Sequence, residues 1–243
     1  VLVHNITEAQ HEDITRLREN VFELVPYLNR EGIAHAVAHP LYSVNDRLTK
    51  DHVEKLLLLF NTFELNGSRD EYQNRILREI LNRLTEEDLD FLESKHGVSP
   101  FGVHPWKKRL IGGSDDHSAL NIASTWTVVD HADTVGEFLS GASRGRGGVE
   151  GRASSPKTLA HNIYSIAYQF YRGKFSLDRY VSRELLLRFA DRALTPSNGE
   201  EQRLVNRLKA TLAFHMPKIP FARSTPDTMT GLLQREAKEV IAG

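Results

Sequence analysis

The feature that most constrains the fold is the alternation of short apolar strand-like runs with helix-like segments over residues 1–140. Two of these runs end in residues that can bind metal, Ala38-His39-Pro40 and Gly113-Ser114-Asp115-Asp116-His117. Alternating strands and helices favour a parallel sheet or a β/α barrel. Enzymes of that architecture carry their functional residues where strands end. The sequence therefore predicts an α/β fold with a site at one edge of the strands.

Local signals place the elements of this alternating region. Thr7 with Gln10, and Thr85 with Asp88, have the spacing of helix caps, and Gly97 predicts the end of a helix. The predicted strands cover residues 1–6, 33–38, 62–65, 109–113 and 125–129. The predicted helices cover residues 7–30 with a kink at Pro26, 49–60 with Thr49 as a cap, 70–84, 86–96, and a last one from a cap at Asp133 to residue 140.

The character of the sequence changes at residue 141. Residues 141–148 are rich in Gly and Arg and are predicted to form a linker. The segments that follow have helical patterns, at residues 158–171, 177–193, 200–214 and 227–241. We therefore expect two domains, a barrel-like one over residues 1–150 and an α-helical one over residues 151–243.

Composition excludes several classes of protein. Lys and Arg number 31 against 32 Asp and Glu, so the overall charge favours neither nucleic acid nor an acidic membrane as a partner. Cysteine is absent, which excludes disulfides, thiolate metal sites and cysteine nucleophiles, and is compatible with a cytoplasmic location. The sequence contains no phosphate-binding loop of the Gly-x-x-x-x-Gly-Lys-Ser/Thr type, no dinucleotide fingerprint and no Gly-x-Ser-x-Gly elbow.

Three residues form the candidate metal site. Along an extended backbone, Asp115 and His117 point to one face, because side chains alternate along a strand. His39 follows another strand, so it can meet them only if the strands are neighbours in a parallel array. Imidazole and carboxylate ligands suit zinc, manganese or iron, and a hydrolytic site leaves one position for water. The sequence predicts a divalent metal at this edge.

These residues carry a resemblance to a known family. Ala-His-Pro after one strand, Phe63-Glu64-Leu65-Asn66-Gly67 at the next, and Gly-Ser-Asp-x-His after a later one resemble the back half of the polymerase and histidinol phosphatase (PHP) family. The resemblance covers residues 1–150. It implies a distorted, TIM-like β/α barrel that hydrolyses phosphoesters with a cluster of divalent metals. It also implies that His39, Asp115 and His117 are metal ligands and that Glu64 is a catalytic residue supporting the site.

The sequence also departs from the family pattern. Family members begin with a His-x-His strand end and further ligands, whereas this chain begins at Val1, within a strand-like run. His4 is the nearest candidate for a substitute ligand. The resemblance therefore implies an incomplete barrel whose early strands are missing. An exposed sheet edge of that kind favours a homodimer or a partner chain that covers it.

The helical region has a resemblance of its own. Residues 159–168 are similar to a helical segment found where a PHP module is joined to a sugar-nucleotide glycosyltransferase. Two alternatives to a phosphoesterase stay open. One is a non-catalytic module associated with such a transferase, and the other is an amidohydrolase-like barrel.

Arginines could bind a phosphorylated substrate, since guanidinium groups bind oxyanions through paired hydrogen bonds. Arg144 and Arg146 in the Gly/Arg-rich segment are the candidates for binding a small phosphorylated substrate, with Arg152 nearby; the alternative is a solvated hinge. The remaining histidines lack partners at a useful spacing, and surface or packing roles are expected for His35, His52, His96, His104 and His131.

Overall fold

A computed structural model describes residues 1–43 and 47–196 and has a mixed α/β architecture. The strands of this part of the chain are β1 (Leu2–His4), β2 (Ala34–Ala36), β3 (Thr62–Asn66), β4 (Arg109–Gly113), β5 (Thr125–Val129) and β6 (Gly147–Gly151). Its helices are α1 (Glu8–Leu17), α2 (Val21–Arg30), α3 (Lys50–Leu59), α4 (Glu71–Arg83), α5 (Glu86–His96), α6 (Val135–Ser143), α7 (Pro156–Lys174), α8 (Asp178–Val181) and α9 (Leu185–Leu194).

The described chain forms two compact units. Among the described residues, the first consists of Val1–Asp115 and Asn121–Ser155, and the second consists of Asp116–Leu120 and residues 156–196. Strands β1 to β6 and helices α1 to α6 belong to the first unit. The short segment around Ser118 therefore leaves the first unit and returns to it.

Parallel pairing organises the centre of the first unit. Strands β3 and β4 are parallel, with Thr62 opposite Arg109 and Asn66 opposite Gly113. Val37, directly after β2, forms a parallel bridge with Phe63. The carboxyl ends of these three segments consequently lie at the same edge. This is the arrangement that the candidate site requires.

The other pairs are antiparallel. Strand β1 pairs with β2, and β5 pairs with β6 over all five residues of each strand. The sheets formed by residues 1–43 and 47–196 have two strands each and no closed barrel. The structure therefore confirms the predicted α/β class and does not show the predicted barrel within the described residues.

Strand β6 corrects the prediction that residues 141–148 form a linker. Residues 141–143 continue α6, and the strand begins at Gly147. A Cβ at Gly147 would lie 2.6 Å from the carbonyl oxygen of Val128 on β5. Gly147 therefore allows the backbones of β5 and β6 to approach closely, a role that composition does not distinguish from flexibility.

Three of the four predicted helix caps are found in the structure. Thr7, Thr49 and Thr85 each accept a hydrogen bond from the third residue of the helix, and Gly97 ends α5 at φ +64°. Two predictions are wrong. Residues 7–30 form two helices, because Asn20 caps a second one at Val21 and leaves Pro26 inside it. Thr134 rather than Asp133 caps α6, through a capping box with Glu137.

Two apolar clusters hold the first unit together. The larger one surrounds β3 and contains fully buried residues of α3 and the strand, including Leu58, Phe60 and Phe63. The smaller one is centred on Leu28 of α2 and is covered by side chains of β1 and α1. Burial of this apolar surface is the main favourable contribution to folding. It fixes the strands whose ends carry the candidate site.

The second unit is helical where the structure describes it. Helix α7 packs on α9, and the Tyr168 hydroxyl donates a hydrogen bond to Asp191 at 3.1 Å. The predicted helix over residues 177–193 is divided into α8 and α9. The helices predicted over residues 200–214 and 227–241 lie outside the described residues. Within residues 1–43 and 47–196, no helix combines the length and the apolar character that crossing a bilayer requires.

Candidate functional site

The candidate site lies at the carboxyl edge of the parallel strands in the first unit. His39 follows the Val37 bridge, Glu64 is in the middle of β3, and Asp115 follows β4 by two residues. The structure therefore places three of the predicted site residues at the same edge. Their convergence follows from the parallel register.

Glu64 is the most buried of these residues, with 5% of its surface exposed. Its Oε2 accepts hydrogen bonds from the backbone N–H of His39 at 2.9 Å and from Asn66 Nδ2 at 3.0 Å. Its Oε1 lies too close to the place of a Cβ at Gly113 for both to be present, so glycine at residue 113 leaves room for the carboxylate in this position. The glutamate thus connects the His39 loop to β3 and β4.

Asp115 interacts with an arginine that the sequence analysis did not select. Arg69 Nη2 lies 3.4 Å from Asp115 Oδ2, and both side chains are 20% exposed. The Arg69 guanidinium stacks on the ring of Tyr42, 3.3 Å from its centroid, and this ring makes an edge contact with His39. The positively charged side chain of Arg69 therefore lies beside Asp115, the predicted carboxylate ligand. Arg69 Nε is buried without a hydrogen-bond partner in the described structure.

The turn after β3 holds the loop that carries Asp115. Ser68 Oγ lies within donor distance of the carbonyl oxygens of Ser114, at 2.9 Å, and of Asp115, at 2.7 Å. The backbone N–H of Gly67 donates to the carbonyl of Gly113 at 2.7 Å. These bonds extend the β3–β4 pairing past the ends of both strands. The position of Asp115 is therefore determined by the β3 turn as well as by β4.

Two of the predicted ligands have strained backbones. His39 has φ +32° and Asp115 has φ +46°, in the left-handed region that side chains with a Cβ rarely adopt. Such conformations cluster at functional sites, where the surrounding structure fixes them. Within the described chain the same sign of φ is found at five other residues that are not glycine: Asn5, Ala119, Ala123, His131 and Ser176.

The two predicted arginines do not lie at this edge, and His117 belongs to the other unit. His117 is exposed and belongs to the second unit, with residues 116–120. Arg144 lies near the start of β4, at the opposite edge from His39. Arg146 is exposed after α6, where its backbone N–H donates to the carbonyl of Gly141 at 2.9 Å.

His4 also lies away from His39. It pairs with Ala34 at the beginning of β2, whereas His39 follows the end of that strand. Burial lowers the pKa of His4, and the negative charge of Glu64 partly opposes this shift. His4 is therefore a neutral ring near neutral pH.

The residues at the carboxyl edge are of the types that bind divalent cations, but in the described structure their ligand atoms do not form a group of three within 4.8 Å of one another. Within the described residues, no Lys or Arg lies within ion-pair distance of the buried Glu64 carboxylate. Buried charges in proteins are normally paired or coordinate a metal. His39, Glu64 and Asp115 offer imidazole and carboxylate atoms, which are the ligands of zinc, manganese and iron.

A second polar cluster, absent from the sequence analysis, joins α3 to α5. Asp51, Glu54 and His96 each offer one ligand atom, all within 4.8 Å of one another, so the cluster could hold a metal ion. Lys95 already occupies this place, because its Nζ lies 2.6 Å from Glu54 and 3.1 Å from Asp51. His96 Nε2 lies 2.6 Å from the same Glu54 oxygen. A helix pattern alone could not show this pairing, since the two helices are more than forty residues apart.

The charges of this second cluster are balanced internally. Hydrogen bonding from Lys95, aided by His96, lowers the pKa of Glu54 to about 2 despite its burial. The same contact raises the pKa of Lys95. The cluster therefore forms an ion-pair network between α3 and α5. A metal ion at this place would compete with Lys95 for the same carboxylates.

Arg69 is the charged residue at the carboxyl edge that the sequence patterns did not single out. The sequence could have indicated it, because Arg69 directly follows the Asn66-Gly67-Ser68 turn at the end of a predicted strand. Loops at the carboxyl ends of parallel strands are where functional residues occur in this architecture. Comparisons of this chain with protein families, with curated proteins and with solved structures found no match.

Proposed function

We propose that the chain contributes to a metal-dependent phosphoesterase site at the carboxyl edge of the parallel strands. The observation that carries this proposal is the convergence of His39, Glu64 and Asp115 at one edge, with the Arg69 guanidinium beside Asp115. Ligands for a cation and a donor for an oxyanion thus occur together. Phosphoester hydrolysis requires both, since negative charge on the phosphoryl oxygens must be stabilised.

The proposal extends to the barrel fold and the metal ligands of the PHP family. The first unit would be part of a PHP-type β/α barrel, and its parallel strands support this assignment. His39 and Asp115 of the first unit would hold the metal, and the resemblance to the family adds His117 to this ligand set. A bound divalent ion supplies a water of lowered pKa and a Lewis acid for the phosphoryl group.

The chain's own residues would position the ligands and bind the substrate. Glu64 holds the backbone of His39 and presents its Oε1 to the same edge. Arg69, stacked on Tyr42, can direct guanidinium N–H groups to a phosphoryl oxygen, because guanidinium and phosphate match in geometry. The substrate class is a small phosphorylated molecule.

A metal-binding and hydrolysis assay tests the proposal. The chain, and in parallel a version extended by any upstream coding sequence, is loaded with Mn²⁺ or Zn²⁺ and assayed with p-nitrophenyl phosphate, and metal content is measured after dialysis. Asp115→Asn and His117→Ala should each reduce kcat/KM by more than about 100-fold, since even residues behind metal ligands cost about 10–100-fold. His11→Ala, at an exposed position on α1, is the matched control.

Unchanged metal content and activity in both variants would overturn the proposal. Metal binding that depends on Asp115 without hydrolysis of any phosphoester would favour the non-catalytic module instead. Hydrolysis of amides rather than phosphoesters would favour the amidohydrolase alternative.

A further inference from the structure

A cavity of about 500 Å³ lies at the amino edge of the same strands, opposite the candidate metal site. The first residues of three strands line it, namely Ala34 of β2, Thr62 of β3 and Arg109 of β4. All of its lining residues belong to the first unit. Its volume is within the range of about 300–1,000 Å³ that small-molecule sites occupy.

Two arginines line this cavity. The stem of Arg109 packs against the turn after α6, with its Cγ 3.4 Å from the place of a Cβ at Gly145, and the adjacent Arg144 also lines the cavity. The backbone N–H of Arg109 donates to the carbonyl of Asn61 at 2.8 Å, which fixes the start of β4. In the described part of the chain, neither guanidinium has a carboxylate within ion-pair distance.

The cavity carries net positive charge. Of its lining residues, Glu31 is the acidic one, and its carboxylate is already 3.1 Å from Arg30. Burial lowers the pKa of both His4 and His35, so these rings are neutral at neutral pH. The lining therefore has two guanidinium groups and one carboxylate, and this carboxylate forms an ion pair with Arg30, which does not line the cavity. An anion is the ligand that this charge distribution favours.

The remaining polar groups suit a hydroxylated ligand. The Nδ1–H of His35 donates to the carbonyl of Ile33 at 2.7 Å, which leaves Nε2 as an acceptor. Ser140 and Ser143, on the cavity side of α6, add hydroxyl groups that both donate and accept. Donors for an anion and acceptors for hydroxyl groups thus line one cavity.

We infer that this cavity binds a small hydroxylated organic anion, a sugar phosphate or a sugar acid, through Arg109 and Arg144. The binding site is separate from the proposed metal site, because the two lie at opposite edges of the strands. It does not depend on a metal or on hydrolysis.

Isothermal titration calorimetry of the full chain in EDTA tests the inference, with glucose 6-phosphate, gluconate and glucose as ligands. Either anion should bind, and glucose should not. A preference for glucose 6-phosphate would identify phosphate as the bound group, and a preference for gluconate would identify carboxylate. Arg109→Gln and Arg144→Gln should each weaken binding by about tenfold or more, the effect of losing one charge-assisted hydrogen bond.

Two further variants separate binding from folding. Arg78→Gln changes an exposed arginine of α4 that does not line the cavity and should leave binding unchanged. Glu31→Gln removes the one lining carboxylate and should strengthen anion binding, which a folding defect cannot do. The inference is overturned if neither anion binds, if glucose binds equally well, if Arg78→Gln weakens binding as much as Arg144→Gln, or if Glu31→Gln fails to strengthen it.

Discussion

At the scale of single residues, Gly113 leaves the space that the Glu64 carboxylate occupies. A methyl group at residue 113 would collide with Oε1 and displace either the carboxylate or β4. Gly113→Ala should therefore lower the free energy of unfolding by about 1–3 kcal/mol, as overpacking does. It should also weaken metal binding. Denaturant unfolding and metal titration measure the two effects.

Gly148 provides the matched control for Gly113. It is also a strand glycine, but no described atom lies within 4 Å of the place of its Cβ. Gly148→Ala should be neutral or stabilising by up to about 1 kcal/mol, because alanine restricts the unfolded chain. Equal effects of the two substitutions would show that Gly113 makes no special room for Glu64.

Lys108 carries a second prediction at this scale. Its Nζ donates to the carbonyls of Leu57 and Phe60, at the end of α3. Burial, with the nearby charge of Arg109, lowers its pKa from 10.5 to about 7. Between about pH 7 and pH 10.5, Lys108 is protonated in the unfolded chain and neutral in the folded chain. The contribution of Lys108 to stability therefore rises with pH in this range.

Substitution of Lys108 by Met removes this titration. The difference in unfolding free energy between the wild type and Lys108→Met should increase from pH 7 to pH 10 in favour of the wild type, and should be flat below pH 7. Lys107→Met, at the exposed neighbouring position, should show no such trend. A flat difference across the whole range would contradict the lowered pKa.

At the scale of elements, Glu54 connects α3 to α5. Only 8% of its surface is exposed, and it contacts Lys95 and His96 at 2.6 Å each. Glu54→Gln should lower the free energy of unfolding by about 1–3 kcal/mol near neutral pH, because it leaves the partners of a buried group unsatisfied. Glu79→Gln, at an exposed position of α4, should change it by less than about 0.5 kcal/mol.

The pH dependence of Glu54 has the same sign as that of Lys108 but falls in the acid range. Its pKa falls from 4.5 to about 2 on folding, so its stabilisation is complete above pH 4.5 and is lost as the pH falls toward 2. The difference in unfolding free energy between the wild type and Glu54→Gln should shrink over this acid range. Thermal unfolding at a series of pH values measures it, and a difference that persists at pH 2 would refute the assignment.

Local sequence signals predicted individual elements better than their pairing. Helix α5 begins and ends where Thr85 and Gly97 indicated, and β4 and β5 have the predicted bounds, because caps and apolar runs act over a few residues. The antiparallel β1–β2 and β5–β6 pairs depend on contacts between distant residues. The Arg69–Asp115 contact has the same origin, since 46 positions separate its partners.

At the scale of the whole molecule, the chain crosses between the two units three times. It enters the second unit at Asp116, returns to the first at Asn121 and enters the second again at Pro156. Residues 116–120 belong to the helical unit, although the strands on both sides of them belong to the other. Ser118 is fully buried there, and its carbonyl accepts a hydrogen bond from Gln169 Nε2 of α7 at 2.8 Å. The segment that carries His117 is therefore held by the helical unit.

Gln169→Leu tests this dependence because it removes the donor and leaves the Ser118 carbonyl without that bond. Hydrogen exchange of residues 116–120 and of α7 should become faster, consistent with a local loss of about 1–3 kcal/mol. Exchange in α3 and α5 should not change, since their contacts lie within the first unit. Lys157→Gln, at an exposed position near the start of α7, is the control. Faster exchange throughout both units, or none around Ser118, would show that α7 does not hold this segment separately.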